Sequence, residues 1–331
     1  MTGPIAGPRG PEHRSWPRSL VLVVGDANPD LVLRGDVVPR FGQTEQLLDD
    51  AALLVGGSAA ITAHGFARLD RPVSLVAAVG DDGLAAPVLT ALAEAGVLLD
   101  HVVRREHRST GLTVVLSRSE DRALLTNLGT IPTLTACEVL GAVTANRANG
   151  LRHTHFSSLF LQAALTAVLP AVLAEIRTQG LTVSLDTNDD PADRWEGVAE
   201  LLPHVNVLLP NRREVLALAG AIGGAQPSAE SAARMLAARG PLVVVKDGPD
   251  GAFAATPDGT VTAVRARARE PVDTTGAGDT FNAAFLDGWL DDHPVGHCLE
   301  RAVRAGTAAV GAVGGTAGQP STQDLLTPEG S

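Results

Sequence analysis

The chain contains no tyrosine, three tryptophans and seven phenylalanines, so aromatic residues make up only 3% of it. The core must therefore be built from Ala, Val, Leu and Ile. Lysine is nearly absent too: Lys246 is the only one, and the remaining cations are Arg. Together with abundant Ala, Gly and Pro, this fits coding bias in a GC-rich genome and says nothing about function. The two cysteines, Cys137 and Cys298, lie far apart in no paired spacing. That argues against a disulfide framework and a Cys-type metal site, and it fits a reducing cytoplasm. No run approaches the roughly 18 uninterrupted apolar residues of a membrane-spanning helix. The Gly-x-x-x-x-Gly-Lys-Ser/Thr pattern of P-loop enzymes is missing. So is Gly-x-Gly-x-x-Gly after the first strand, which argues against a nucleotide-dependent dehydrogenase. A net charge of -11 makes nucleic acid and anionic membranes poor partners.

What is present points to a packed globular core. The 331 residues are 45% apolar, which suits one large α/β domain with a small appendage. Residues 1–18 are rich in Pro, Gly and Arg and read as a disordered leader to a domain over 19–325. Short apolar runs at 20–24, 73–79, 181–185, 205–209 and 242–245 read as buried strands. Between them, 84–95, 161–177, 213–219 and 229–238 carry helical spacing. This alternation predicts an α/β fold with a mostly parallel sheet covered by helices on both faces. Two regions break it, at about 31–55 and 101–128, where strand-like pieces predict a small β lid.

The segment with most chemical content is Asp273-Thr274-Thr275-Gly276-Ala277-Gly278-Asp279-Thr280-Phe281, followed by a helical pattern. A glycine-rich turn entering a helix presents unpaired N–H groups and the positive end of the helix dipole, which together bind phosphates. A carboxylate there, Asp279, could take a proton from an attacking hydroxyl. A plain N-cap would also put Asp at such a place, but the full nine-residue run favours the catalytic role.

That run resembles the C-terminal signature of the ribokinase-like (PfkB) carbohydrate kinases. The resemblance covers roughly Leu20 to Ser321. It implies a three-layer α/β/α kinase that phosphorylates a sugar-like molecule with ATP and Mg²⁺. By resemblance, Gly276, Ala277 and Gly278 form the anion hole and Asp279 is the base. A monovalent cation such as K⁺ would lie near Asp273 and Thr275. Asn28 and Asp30, in Gly25-Asp26-Ala27-Asn28-Pro29-Asp30, would bind sugar hydroxyls, although such residues also make ordinary turns. Gly56 and Gly57 open a segment similar to the family's N-terminal signature, in which Ile61 stands where Asn is usual. An Ile cannot hydrogen-bond a hydroxyl, so this departure bears on which acceptor is taken.

Asn211 and Glu214 match an Asn-x-x-Glu motif that organises Mg²⁺ waters, and their spacing also makes a capping box. Nucleotide contacts are implied for Lys246, Gly248, Gly251 and Asn282; Lys246 either reaches a phosphate or only decorates its turn. Ala78-Val79-Gly80-Asp81-Asp82-Gly83 and Asp186-Thr187-Asn188 resemble family turns at strand ends. His153 and His155 share one face of an apparent strand with no acidic or Cys neighbour, which favours a structural role over a metal pair. The resemblance also implies a homodimer through the lid. A nucleoside kinase of the same fold, or a non-catalytic sugar sensor, are the alternatives; the intact Asp279 loop argues against the sensor.

Overall fold

The computed structural model describes residues 18–118 and 122–326. The expected leader lies outside these residues except for Arg18. In chain order the strands are β1 (Leu20–Val24), β2 (Asn28–Arg34), β3 (Asp50–Gly56), β4 (Val73–Gly80), β5 (Leu98–Arg105), β6 (Leu112–Ser117), β7 (Arg122–Asn127), β8 (Leu151–Phe156), β9 (Thr182–Leu185), β10 (Val207–Leu208), β11 (Leu242–Lys246), β12 (Ala252–Ala255) and β13 (Val261–Val264). The helices are α1 (Ser58–Arg68), α2 (Ala85–Glu94), α3 (Ala136–Asn146), α4 (Ala163–Thr166), α5 (Leu169–Thr178), α6 (Val198–Leu201), α7 (Arg212–Gly223), α8 (Ala229–Ala237), α9 (Ala277–Leu290), α10 (Val295–Ala309) and α11 (Thr322–Leu326).

Nine strands form one sheet in the order β13-β12-β11-β10-β9-β8-β1-β4-β5. From β11 to β5 every neighbouring pair is parallel; β12 and β13 add an antiparallel edge. The central strand shows why. Every residue of Leu-Val-Leu-Val-Val in β1 is fully buried, as expected of a strand covered on both faces. Leu20, Leu22 and Val24 face the layer built from α3, α5, α7 and α8. Val21 and Val23 face α1, α2, α9 and α10.

The second sheet, in the order β3-β2-β6-β7, is the lid. Its central pair, β2 with β6, is parallel, because two hairpins from distant parts of the chain lie side by side. The lid differs from the sequence expectation at 101–105. Those residues belong to β5, which pairs with β4 at the edge of the main sheet. The expected helix over 161–177 is divided into α4 and α5, since Pro170 in the first turn of α5 cannot donate to the preceding turn. The strand expected at 205–209 shrinks to Val207–Leu208. The hairpin of β12 and β13 carried no clear signal in the sequence.

Arg18 is tied into the domain rather than trailing from it. Asp287 on α9 accepts from Arg18 at 2.7 Å, Arg71 at 2.9 Å and Arg301 at 2.9 Å. Arg71 is fully buried and also reaches Asp291 at 2.7 Å. Removing the shared carboxylate strands buried positive charge. Asp287→Ala is therefore expected to cost about 3–5 kcal/mol, read as a lowered urea midpoint for unfolding.

Candidate active site

The carboxyl ends of the central strands deliver one charged group after another to the same crevice. Asp26 follows β1, Asp186 follows β9 and Lys246 ends β11. Strand order reverses between β1 and β8, and open parallel sheets bind ligands at such a switch point. The N-termini of α1 and α9 close the crevice from one side, and the lid covers it from another.

Gly276 caps α9 with φ 71, a left-handed conformation that glycine adopts without strain. A Cβ there would lie 2.5 Å from the Gly315 Cα, so the close approach of two loops also requires glycine. Ala277, Gly278 and Asp279 form the first turn of α9, where N–H groups have no intrahelical acceptor. Asp279 is buried, and Ser58 Oγ, from the start of α1, donates to its Oδ1 at 2.5 Å. Burial pushes the Asp279 carboxyl up to about 7; Ser58 and Lys246 oppose the rise, while Asp186 and Asp26 add to it.

Lys246 Nζ donates to Asp186 Oδ2 at 2.5 Å. Burial alone would lower the lysine pKa, but Asp186 and Glu214 outweigh it, so Lys246 is held in its charged form. Its side chain passes close to Gly278, with Nζ 3.7 Å from where a Cβ would stand. Lys246 thus spans from the floor of the site to the glycine turn at the start of α9, beyond merely decorating its own turn. Glu214 and Asn211 form the expected capping box: Asn211 N donates to Glu214 Oε2 at 2.7 Å and Glu214 N to Asn211 Oδ1 at 2.9 Å, and Asn211 Nδ2 also donates to Oε1 at 2.6 Å. Burial, then Asp186, raises the Glu214 carboxyl.

Asn28 and Asp30 lie on β2 rather than in a turn, two residues apart and so on one face. Asn28 Nδ2 donates to Asp30 Oδ1 at 3.3 Å and to Thr113 Oγ1 at 3.4 Å. Gly56, opposite Asn28 in register, leaves room for the Asp30 carboxylate, which would lie 2.0 Å from a Cβ at that position. Gly57 caps α1 at φ 85. Burial and then Asp26 push Asp30 up to about 7. Ile61 is buried, and its Cδ1 fills the place of a Cβ on Gly315. It packs against the Gly315 loop.

A cavity of about 800 Å³ opens on the other side of the turn, lined by Lys246, Gly248, Gly251, Ala277, Gly278 and Phe281 among others. That is the size range of small-molecule and cofactor pockets. Asn282 is not part of it. Its amide is fully buried beneath the site and donates to Asp186 Oδ2 at 2.5 Å. Asp273 accepts from Thr275 N at 2.9 Å, Thr275 Oγ1 at 2.7 Å and Gly314 N at 2.9 Å. Arg122 of the lid donates to Thr275 Oγ1 at 2.6 Å and lies 3.8 Å from Asp273. Oδ1 thus takes both Thr275 bonds and Oδ2 takes one, with the Arg122 guanidinium alongside.

The expected magnesium residues are Asn211 and Glu214. Among the described residues no group of three or more His, Cys, Asp and Glu could hold a metal. Mg²⁺ beside phosphates needs no such cage, because it keeps most of its waters and uses one or two carboxylates. Glu214 is a carboxylate of that kind, fixed by Asn211. The two histidines are structural: His153 and His155 each hydrogen-bond Ser184 Oγ at 2.7 Å in the core. Burial lowers His155 to about 4 and His153 well below its usual range, so both stay neutral.

Sequence reasoning missed Ser58, Asp26, Asp186 and Arg122 as site residues. Ser58 directly follows the glycine pair, and the two aspartates end strands that converge, so topology could have found them. Arg122 carried no signal, being one Arg among many.

The match to known proteins agrees with this geometry. Residues 18–322 match the family model for the pfkB family carbohydrate kinases. The chain belongs to that family, and it is a carbohydrate kinase. It is similar to a ribokinase of Schizosaccharomyces pombe, 28% identical with 94% of this chain and 97% of that protein covered. It is also similar to an ATP-dependent ribose-1-phosphate kinase of Halopiger xanaduensis, 32% identical over 89% of this chain and 93% of that one. Among solved structures it resembles Arabidopsis thaliana ribokinase complexed with ribose and ATP, with a TM-score of 0.79, 25% identity and coverage of 93% and 97%. The expected ribokinase-like α/β fold is thus borne out.

Gly56→Ala is expected to displace Asp30 and raise the acceptor KM by about tenfold or more, a cost of at least about 1.4 kcal/mol. The KM for nucleotide should change little, since that cavity is lined by other residues. Steady-state kinetics with each substrate varied in turn checks this.

Proposed function

We propose that the chain transfers the γ-phosphoryl group of ATP, with Mg²⁺, to a hydroxyl of a sugar or sugar derivative, and that Asp279 is the general base. One observation carries the reading. The first turn of α9 borders the large cavity through Ala277 and Gly278 and, through Asp279, meets the crevice shared with Ser58 and the lid. Two substrates approaching from opposite sides would meet at this turn.

The acceptor binds under the lid, where Asn28 and Asp30 hydrogen-bond its hydroxyls. Asp279 takes the proton of the attacking hydroxyl as the oxygen approaches phosphorus. The amides at the start of α9 and the Lys246 ammonium stabilise charge on the transferring group. Bound Mg²⁺ would be held through waters by Glu214 and Asn211 and would neutralise the phosphates. Lid closure excludes water and limits hydrolysis of ATP.

An ADP-release assay over sugars, sugar acids, sugar phosphates and nucleosides tests this. One acceptor class should give turnover, and Asp279→Asn should lower kcat by roughly 10² to 10⁴. Near-normal turnover in that variant would remove Asp279 as the base. A base titrating at about 7 must be deprotonated to work. Activity should therefore fall as pH drops below neutrality, read from kcat/KM against pH.

We also propose a homodimer through the lid and a cytoplasmic location. The outer lid face offers Leu53, 44% exposed, and Leu125, 57% exposed, in a row completed by Leu31 and Val114. Burying such a face between copies would protect it. The double variant Leu53→Asp, Leu125→Asp should sediment as a monomer where the wild type sediments as a dimer. The free thiols of Cys137 and Cys298 support the location.

A further inference from the structure

We infer that Ser58 is a positioning residue for the base: its hydroxyl holds one oxygen of Asp279 and leaves the other for the acceptor hydroxyl. The inference rests on the reading of Asp279 as the base.

Three features of the packing support it. The first is the contact itself, 2.5 Å between Ser58 Oγ and Asp279 Oδ1 across the junction of α1 and α9. A carboxylate in the first turn of a helix can rotate, and a single hydrogen bond at this distance fixes which oxygen points away. The second is the way Ser58 is delivered. Gly57 sits at φ 85, and a Cβ there would come within 2.8 Å of the Asp26 carbonyl oxygen. Asp26 Oδ1 in turn accepts from Ala59 N at 3.1 Å. The backbone on both sides of Ser58 is thus anchored to the end of β1.

The third is a cross-brace between the two helices close to the pair. Gln319 Nε2 donates to the Ile61 carbonyl oxygen at 3.0 Å and to Thr280 Oγ1 at 3.0 Å. Ile61 lies one turn after Ser58, and Thr280 directly follows Asp279. Gln319 Oε1 also meets His64 Nδ1 at 2.5 Å, which orients the amide. Below the brace, Gly65 lets α1 approach α9, since a Cβ there would lie 2.9 Å from the Ala283 Cβ. The two helices cannot slide without breaking this set, so the serine and the aspartate are held in register before any substrate arrives.

The bond has a chemical consequence. The carboxylate is faced by Asp186 from β9, Asp26 from β1 and Lys246 from β11, and burial with the two aspartates favours its protonated form. A donated hydrogen bond favours the ionised form. Ser58 therefore keeps more of the base ready to accept a proton near neutral pH.

The test uses the full-length enzyme and the best acceptor from the panel. The profile of kcat/KM against pH is measured for wild type, Ser58→Ala, Ser58→Thr and Asp279→Asn. Ser58→Ala should move the acid limb upward by about one pH unit, a loss of about tenfold on the acid side, with little loss on the alkaline plateau. Ser58→Thr keeps the hydroxyl and should restore the wild-type limb. A second readout needs no turnover: the titration of the Asp279 carboxyl, followed by carbon-13 NMR of aspartate-labelled protein, should shift upward in Ser58→Ala. A drop in activity that is even across pH, or an unmoved limb and carboxyl titration, would overturn the role of Ser58 while leaving the base in place. Undiminished turnover in Asp279→Asn would instead overturn the base and this inference with it.

Discussion

The site depends on one electrostatic arrangement: several buried carboxylates gathered around a single ammonium. Asp26, Asp186 and Asp279 are all buried at the ends of parallel strands or the start of a helix, and Lys246 is bound to Asp186 at 2.5 Å. Burying like charges together is costly unless a counter-charge and hydrogen bonds offset it. Here the offset comes from Lys246, Asn282, Ser58 and backbone N–H groups, each supplied by a different element. The fold exists in the form it does because those elements must all arrive at one crevice. The same arrangement leaves Asp279 with a raised pKa, which would suit the base proposed for it.

Much of the fold was legible because it is written in runs of buried residues. β1, β4 and β11 are continuous apolar strings, and strings of that kind mean strands covered on both faces. β10 was overestimated because Val205 and Leu209 are as apolar as the two residues that pair. The assignment of 101–105 to the lid failed for a different reason. β5 is an edge strand with a half-exposed face, so its pattern resembles the lid strands and not the core ones. Pattern reports burial, and two edges with similar burial cannot be told apart without knowing their partners.

The site was legible where chemistry demands glycine or a cap. Gly276 and Gly56 stand where a Cβ has no space, and Asn211 with Glu214 makes the expected cap. Asn282 follows the motif directly, and nothing in its place along the helix announces that its amide is buried against Asp186. Ile61 shows the same limit in reverse. Its apolar character bears on the choice of acceptor, and its side chain packs on the loop at Gly315. A change of residue type at a signature position says nothing about which way the side chain faces.

The chain's only lysine sits 13% exposed on the floor of the site, charged and bound to a carboxylate. Amine-directed reagents require a neutral amine, and in the folded protein Asp186 holds this one charged. Apart from the chain terminus, the folded enzyme should be nearly inert to acylation, and any ε-amine label that appears would mark molecules whose active site has opened. The composition that looked uninformative thus gives the protein a built-in chemical reporter of its own local unfolding.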